Sequence, residues 1–136
     1  MVRTSMETKG DKDTQEITAQ GKQIRSTMSK RLRKQLRLIE RFRELDAEMQ
    51  AQTVAIFLYI ANSPVPVKMQ DIADDLGLAQ SSVSRNVAAL SDWTRHRTKG
   101  HNLVEAFEDP MERRRKLVRL TTKGKRFTTS LLDILD

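Results

Sequence analysis

The chain has 136 residues, with 25 lysines and arginines against 18 aspartates and glutamates, a net charge of +7. That length supports one domain with one modest core. The absence of cysteine excludes disulfides and thiol redox chemistry and agrees with a cytoplasmic setting. No apolar run approaches the roughly 18 residues of a membrane span, and the opening MVRTSMETKGDKD has no apolar segment of the secretory type.

The positive charge points to an anionic partner, of which nucleic acid is the usual one. It is also sorted. Residues 25–43 hold eight basic side chains (Arg25, Lys30, Arg31, Arg33, Lys34, Arg37, Arg41, Arg43) against one acid, Glu40. Further basic clusters fall at residues 95–99, 113–116 and 123–126, while Asp71, Asp74 and Asp75 gather on a different stretch.

Residues 1–22 are polar and of mixed charge, and read as a disordered arm. Residues 23–136 read as the folded domain. From about Gln23 the three- and four-residue steps of Met28, Leu32, Leu36, Ile39, Phe42, Leu45 and Met49 predict a long amphipathic helix with one apolar stripe. Lys30, Arg33, Lys34, Arg37 and Arg41 form its basic back, which is either a solvated face or a surface for DNA flanks or an acidic partner.

AQTVAIFLYIA predicts a mostly buried second helix, stopped by Asn62-Ser63-Pro64. VPVKMQ is a connector or a short edge strand. MQDIADDLGL predicts a short helix closed by Gly77 in the left-handed conformation. AQSSVSRNVAAL follows at once, with Val83, Val87 and Leu90 turned inward and Gln80, Ser81, Ser84, Arg85 and Ala88 outward. Two short helices joined by a glycine turn are the pattern of a helix-turn-helix.

SDWTRHRTKGHN reads as a basic loop, with Trp93 as an anchor against the core. LVEAF and KLVRL are short and rich in β-formers, and predict a hairpin with residues 108–115 as its tip. Thr121 or Thr122 caps a last helix that runs to about Leu135. The predicted fold class is mainly α with a small β-hairpin wing: a winged helix-turn-helix behind a long N-terminal helix.

In such an architecture the second helix of the pair enters the major groove. Arg85 is the candidate for a bidentate guanine contact, worth about 1–3 kcal/mol of discrimination. Gln80 would read adenine or hold a phosphate. Ser81, Ser82 and Ser84 are candidates for phosphate contacts, which position a protein without specifying sequence. Arg95, Arg97 and Lys99 of the loop would add backbone contacts. The run Arg113, Arg114, Arg115 and Lys116 is either a solvated, acid-paired turn or a tip lying along the duplex, with one arginine in the minor groove.

MQDIADDLGLAQSSVSRNVAAL followed by DPMERRRKLVRLTTKGK resembles the MarR family of winged-helix regulators. The family wing reads approximately D-P-x-D-R-R-x-x-x-V-x-L-T-x-K-G. Asp109, Pro110, Arg113, Arg114, Val118, Leu120, Thr121, Lys123 and Gly124 match it in place, with Glu112 for the second acid. The resemblance spans about residues 50–130 and implies a homodimer on pseudo-palindromic double-stranded DNA, controlling transcription as a repressor. It assigns Arg113 to the minor groove and ties Arg114 to Asp109. Arg115 and Lys116 have no counterpart in the signature and are left as general phosphate affinity. The family dimerises through its first and C-terminal helices, which puts Met28, Leu32, Leu36, Ile39, Phe42, Leu131 and Leu135 at the interface.

Three departures stand out. Ala79 occupies the place of the usual serine cap of the recognition helix, with Ser81 as a substitute. The loop into the wing is longer than usual. One short helix follows the wing where the family has two, which leaves the long first helix to make up the interface.

Members of the family often bind small aromatic effectors, so an effector is an open element of the resemblance, although no distinctive pocket is legible. His96 and His101 lack further ligands nearby, so no metal is expected. The serines and carboxylates form no catalytic set, and there is no P-loop or Rossmann glycine pattern. The expected protein is not an enzyme, needs no cofactor, contacts no membrane and is cytoplasmic and nucleoid-associated. Two other classes stay open: an architectural, sequence-indifferent DNA binder, and a winged helix used as a protein-interaction module.

Overall fold

A computed structural model describes residues 29–92 and 99–136. The expected polar arm, the start of the first helix with Arg25 and Met28, and the loop residues Trp93, Arg95, His96 and Arg97 lie outside the described residues. The chain divides into two compact units, Met1–Leu36 and Arg37–Asp136. Among the described residues there are five helices and a three-stranded antiparallel sheet.

Helix α1 (Lys30–Leu45) starts at Ser29, whose Oγ accepts the Arg31 N–H at 3.2 Å and whose carbonyl accepts the Arg33 N–H at 3.0 Å. In the first unit, Leu32 and Leu36 are exposed. In the second, the core takes Leu38 and Phe42, with Leu45 half-buried, and Ile39 is exposed. This corrects the expected single stripe, which omitted Leu38. Three-residue steps rotate by about 60° each on a helix of 3.6 residues per turn, so Ile39, Phe42 and Leu45 drift round the surface instead of sharing a line.

The helix also stops at Leu45 instead of running to Met49. Asp46 makes a turn there, its Oδ1 accepting the Glu48 N–H at 2.9 Å, as aspartate commonly does. Met49 packs on the core from the loop. Arg41 leaves the expected basic back. Its guanidinium lies 5.1 Å from the centre of the Phe127 ring and donates to Ser130 Oγ at 3.0 Å and Glu44 at 2.7 Å.

Helix α2 (Ala51–Ala61) buries Thr53, Ile56, Phe57 and Ile60. Phe42, Phe57 and Phe127 meet edge to face, with ring centres 5.1–5.6 Å apart, and form the centre of the core. Strand β1 (Val67–Lys68) resolves the nature of the VPVKMQ segment: it pairs with the strand Glu112–Leu120 through Val67↔Val118 and Lys68↔Leu117.

Helix α3 (Met69–Leu76) ends on Gly77 at φ +65°, as expected. Glycine adopts that left-handed conformation without the steric penalty of a Cβ. Helix α4 (Gln80–Leu90) buries Val83, Asn86, Val87 and Leu90. Asn86 was not foreseen inside. Its Oδ1 accepts the Thr53 hydroxyl at 2.5 Å, and its Nδ2 donates to the Ser82 carbonyl at 2.8 Å. The pair ties α4 to α2 by a bond made away from water. Thr53→Val should leave Asn86 Oδ1 buried without its donor and cost about 1–3 kcal/mol. Urea denaturation measures this, and a variant as stable as the parent would contradict it.

Strands β2 (Val104–Asp109) and β3 (Glu112–Leu120) form the wing. The expected eight-residue tip is corrected: Pro110 and Met111 alone lie between the strands. Charged side chains do not interrupt a ladder whose edges face solvent. The register runs from Val104↔Leu120 to Glu108↔Lys116, then shifts to Asp109↔Glu112. Arg113, Arg114 and Arg115 therefore sit in a bulge with no residue opposite them, a device that re-aims side chains at sheet ends.

Helix α5 (Thr122–Leu135) is capped by Thr121, whose Oγ1 accepts the Gly124 N–H at 3.0 Å. A Cβ on Gly124 would stand 1.9 Å from the Leu103 carbonyl oxygen, so the close approach there requires glycine. No described helix is long and apolar enough to cross a membrane.

Candidate nucleic-acid interface

The outer side of α4 carries Gln80, Ser81 and Arg85 exposed, and Ser82 and Ser84 half-buried. Arg85 folds back along its own helix, with Nη2 at 3.4 Å from Ser82 Oγ. The helix begins at Ala79 in extended backbone, and no side chain accepts from its first N–H groups. Ser81 therefore does not replace the missing cap. The Ser82 and Val83 N–H groups donate to the Ala79 carbonyl at 3.0 and 3.1 Å, and the start of α4 carries the positive end of a helix dipole.

On the wing, Arg113, Arg114, Arg115 and Lys116 are all exposed. Asp109 is nearly buried and organises the turn. Its Oδ1 accepts the Met111 N–H at 2.9 Å, and its Oδ2 lies 3.8 Å from Arg115 Nε. The expected Arg114–Asp109 tie is thus corrected to Arg115, because the register shift turns the last arginine of the bulge back beside the aspartate. The stem is stiffened by a cross-strand pair that the sequence pattern did not reveal. Arg119 Nε meets Glu105 at 2.7 Å, and its guanidinium lies 4.3 Å from the Phe107 ring centre.

Wing and helix-turn-helix meet at a cleft of about 470 Å³ lined by Lys68, Met69, Gln70, Asp71, Gln80, Arg114, Arg115 and Lys116. It brings four of the expected DNA-contacting residues together. It adds Lys68 and Gln70, which only the pairing of β1 with the wing could have pointed to. Arg113, Arg85 and Lys99 do not line this cleft.

The expected dimer residues separate into two sets. Phe42 and Leu131 are spent on the protomer's own core, at 0% and 2% exposure. Leu32, Leu36, Ile39 and Leu135 are exposed. Within Arg37–Asp136, an apolar groove of about 540 Å³ runs past Leu38, Leu58, Tyr59, Leu76, Leu132 and Leu135. On its rim the Tyr59 hydroxyl donates to Asp75. That bond, reinforced by desolvation and the charge of Asp75, pushes the phenol up to about 12.

His101 is half-buried, and burial holds its imidazole below the usual value, with Asp46 opposing and Lys123 adding to the shift. Among the described residues no group of His, Cys, Asp and Glu could hold a metal ion.

No family model and no curated protein matches the chain in sequence. Solved structures do match it in fold. A mutant of S. aureus MepR bound to an oligodeoxyribonucleotide aligns at 21% identity with a TM-score of 0.60, over 76% of this chain and 69% of that one. The PcaV transcriptional regulator from Streptomyces coelicolor, in complex with its natural ligand, aligns at 20% identity and TM-score 0.53, over 81% and 74%. MarR aligns at 21% and 0.51, over 63% of this chain and 56% of its own, so the chain spans just over half the length of that protein. With its helix-turn-helix, its three-stranded wing and these neighbours, the chain has the winged-helix fold of the MarR-family regulators.

Proposed function

We propose that the protein is a transcriptional regulator that binds double-stranded DNA as a homodimer on a pseudo-palindromic site and represses by occupying it. One observation carries this: the start of α4 and the basic side of the wing line the same cleft. A duplex engaging one therefore meets the other. The likeness in fold to MepR, a mutant of which is bound to an oligodeoxyribonucleotide, supports DNA as the partner. Arg85 reads base edges, the serines and Gln80 position the backbone, and Arg113 enters the minor groove.

The homodimer draws on Leu32, Leu36, Ile39 and Leu135, which are exposed in the protomer. The protein works without an enzymatic step, in the cytoplasm, at the nucleoid. The likeness to PcaV, solved with its natural ligand, supports a small-molecule effector, and the apolar lining of the groove beside Tyr59 makes that groove its proposed place. A compound bound there should raise the melting temperature of the free protein and release the duplex.

Selection from a random duplex library is expected to return a palindromic motif. Arg85→Ala should flatten the base preference by about 1–3 kcal/mol at one position of each half-site. Arg113→Ala should remove preference for A·T flanks. Enrichment without a motif would replace the regulator by a sequence-indifferent binder. A monomer by sedimentation at micromolar concentration would remove the palindrome.

A further inference from the structure

We propose that Met111, at the tip of the wing, is a wedge that enters the minor groove between two base pairs, unstacks them and bends the duplex. Met111 is 90% exposed, more than any other large apolar side chain among the described residues. Leu58, Leu132 and Leu135 line the apolar groove, and Leu32, Leu36 and Ile39 serve the proposed dimer. Met111 belongs to neither set. A two-residue hairpin turn ordinarily carries glycine, asparagine or aspartate. This one carries Pro110 and Met111, two apolar residues of the kind that architectural proteins insert between base steps.

The tip is built to hold its position. The nearly buried Asp109 carboxylate accepts the Met111 N–H at 2.9 Å through Oδ1, while its Oδ2 lies 3.8 Å from Arg115 Nε. The Pro110 ring fixes one more backbone angle. Behind the tip, the Arg119–Glu105 pair at 2.7 Å and the Arg119 guanidinium over the Phe107 ring at 4.3 Å stiffen the ribbon. The Met111 side chain is the part left to turn, and its unbranched thioether adapts to irregular gaps. Arg113 and Arg114 follow in the bulge, both exposed, and the negative potential of a narrow minor groove attracts them. Glu108 and Glu112 are exposed beside the tip as well. Their charges repel the phosphate strands, which disfavours a tip lying flat along the backbone. The floor of the groove carries no phosphate, and an apolar side chain gains there by leaving water.

The wedge rests on the DNA-binding function proposed above and adds a second kind of specificity to it. Unstacking is least costly at the flexible pyrimidine–purine steps, TA and CA/TG. A wedge therefore selects sequence at positions that no side chain reads by hydrogen bonds. Arg113 responds to the width of the groove, and Met111 to how easily one step opens. A flexible step is expected where each wing meets the flank of a half-site.

The test uses the full chain and the best-bound duplex from the library selection. A fluorescent adenine analogue that brightens on unstacking is placed at successive adenines, and a dye pair at the duplex ends reports bending. The analogue is expected to brighten at one flexible step in each flank, and the ends to approach each other. Met111→Ser should abolish both signals and weaken binding about 10-fold, the scale of one side chain's burial. Met111→Leu should keep both. The side chain is exposed in the free protein, so neither variant should shift the urea midpoint. Tight binding by the parent with no brightening at any adenine and no bend overturns the wedge and leaves the regulator standing. Brightening that persists in Met111→Ser assigns the unstacking to another side chain and overturns it too. Failure of the parent to bind any duplex at low salt removes the DNA-binding function itself, and the wedge with it.

Discussion

Duplex affinity is expected to fall about 10³–10⁵-fold between about 50 and about 200 mM salt, the range for 6–10 neutralised phosphates. The structure explains why the dependence should be this steep. The wing's basic run is exposed, and Lys68, Arg114 and Lys116 are unpaired among the described residues. Each phosphate they meet releases a condensed counterion, and among the described residues no ion pair holds Lys68, Arg114 or Lys116. Acid pairing of the run, which the sequence left open through Glu108, Asp109 and Glu112, would predict a shallow slope. Of those three acids only Asp109 pairs with it, and through Arg115 alone. Fluorescence anisotropy across a salt series measures the slope. A nearly flat plot of affinity against salt would show that these cations do not meet the backbone.

Phe57→Ala is expected to cost about 3–5 kcal/mol of folding stability. Phe57 is fully buried and shares edge-to-face contacts with Phe42 at 5.6 Å and Phe127 at 5.5 Å. Removing its ring leaves a cavity where α1, α2 and α5 meet, and strips both remaining rings of a partner. The loss is comparable with the whole stability margin of a small domain, about 5–15 kcal/mol. Urea denaturation should show a lower midpoint at unchanged slope. A cost below about 1 kcal/mol would mean that the core collapses onto the vacancy, and that the three rings are not its centre.

Much of this architecture was legible in the residues because local signals agreed. Asn62-Ser63-Pro64 ended α2, Gly77 separated α3 from α4, and Thr121 started α5. Each is a backbone event whose cause lies within a few residues. The buried side of α4 followed from spacing alone, apart from Asn86. That residue is buried because Thr53, 33 positions away, supplies its partner.

The errors share a cause as well. Which side of α1 meets the core depends on where α2 and α5 lie, so Leu38 was missed beside the more regular row of Leu32, Leu36 and Ile39. The hairpin tip looked long because its strands are charged, and neither the two-residue turn nor the bulge has a composition of its own. The exchange of Arg114 for Arg115 beside Asp109 follows directly from that bulge. Lys68 entered the candidate site through strand pairing, which no local pattern encodes.

The short stretch from Gly100 to Leu103 has a wider consequence. Its N–H groups donate to the carbonyls of Asp92, Ala89, Ser91 and Leu90 in turn, at 2.7–3.1 Å, and so close the end of α4. Its carbonyls accept from the start of the last helix: His101 from Lys123 Nζ, Asn102 from Thr121 Oγ1, and Leu103 from the Thr121 N–H. Strand β2 begins at the next residue. Four consecutive peptides thus join α4, the wing and α5 at one bracket. On the proposed function, helix and wing would therefore present themselves to a duplex from one shared support.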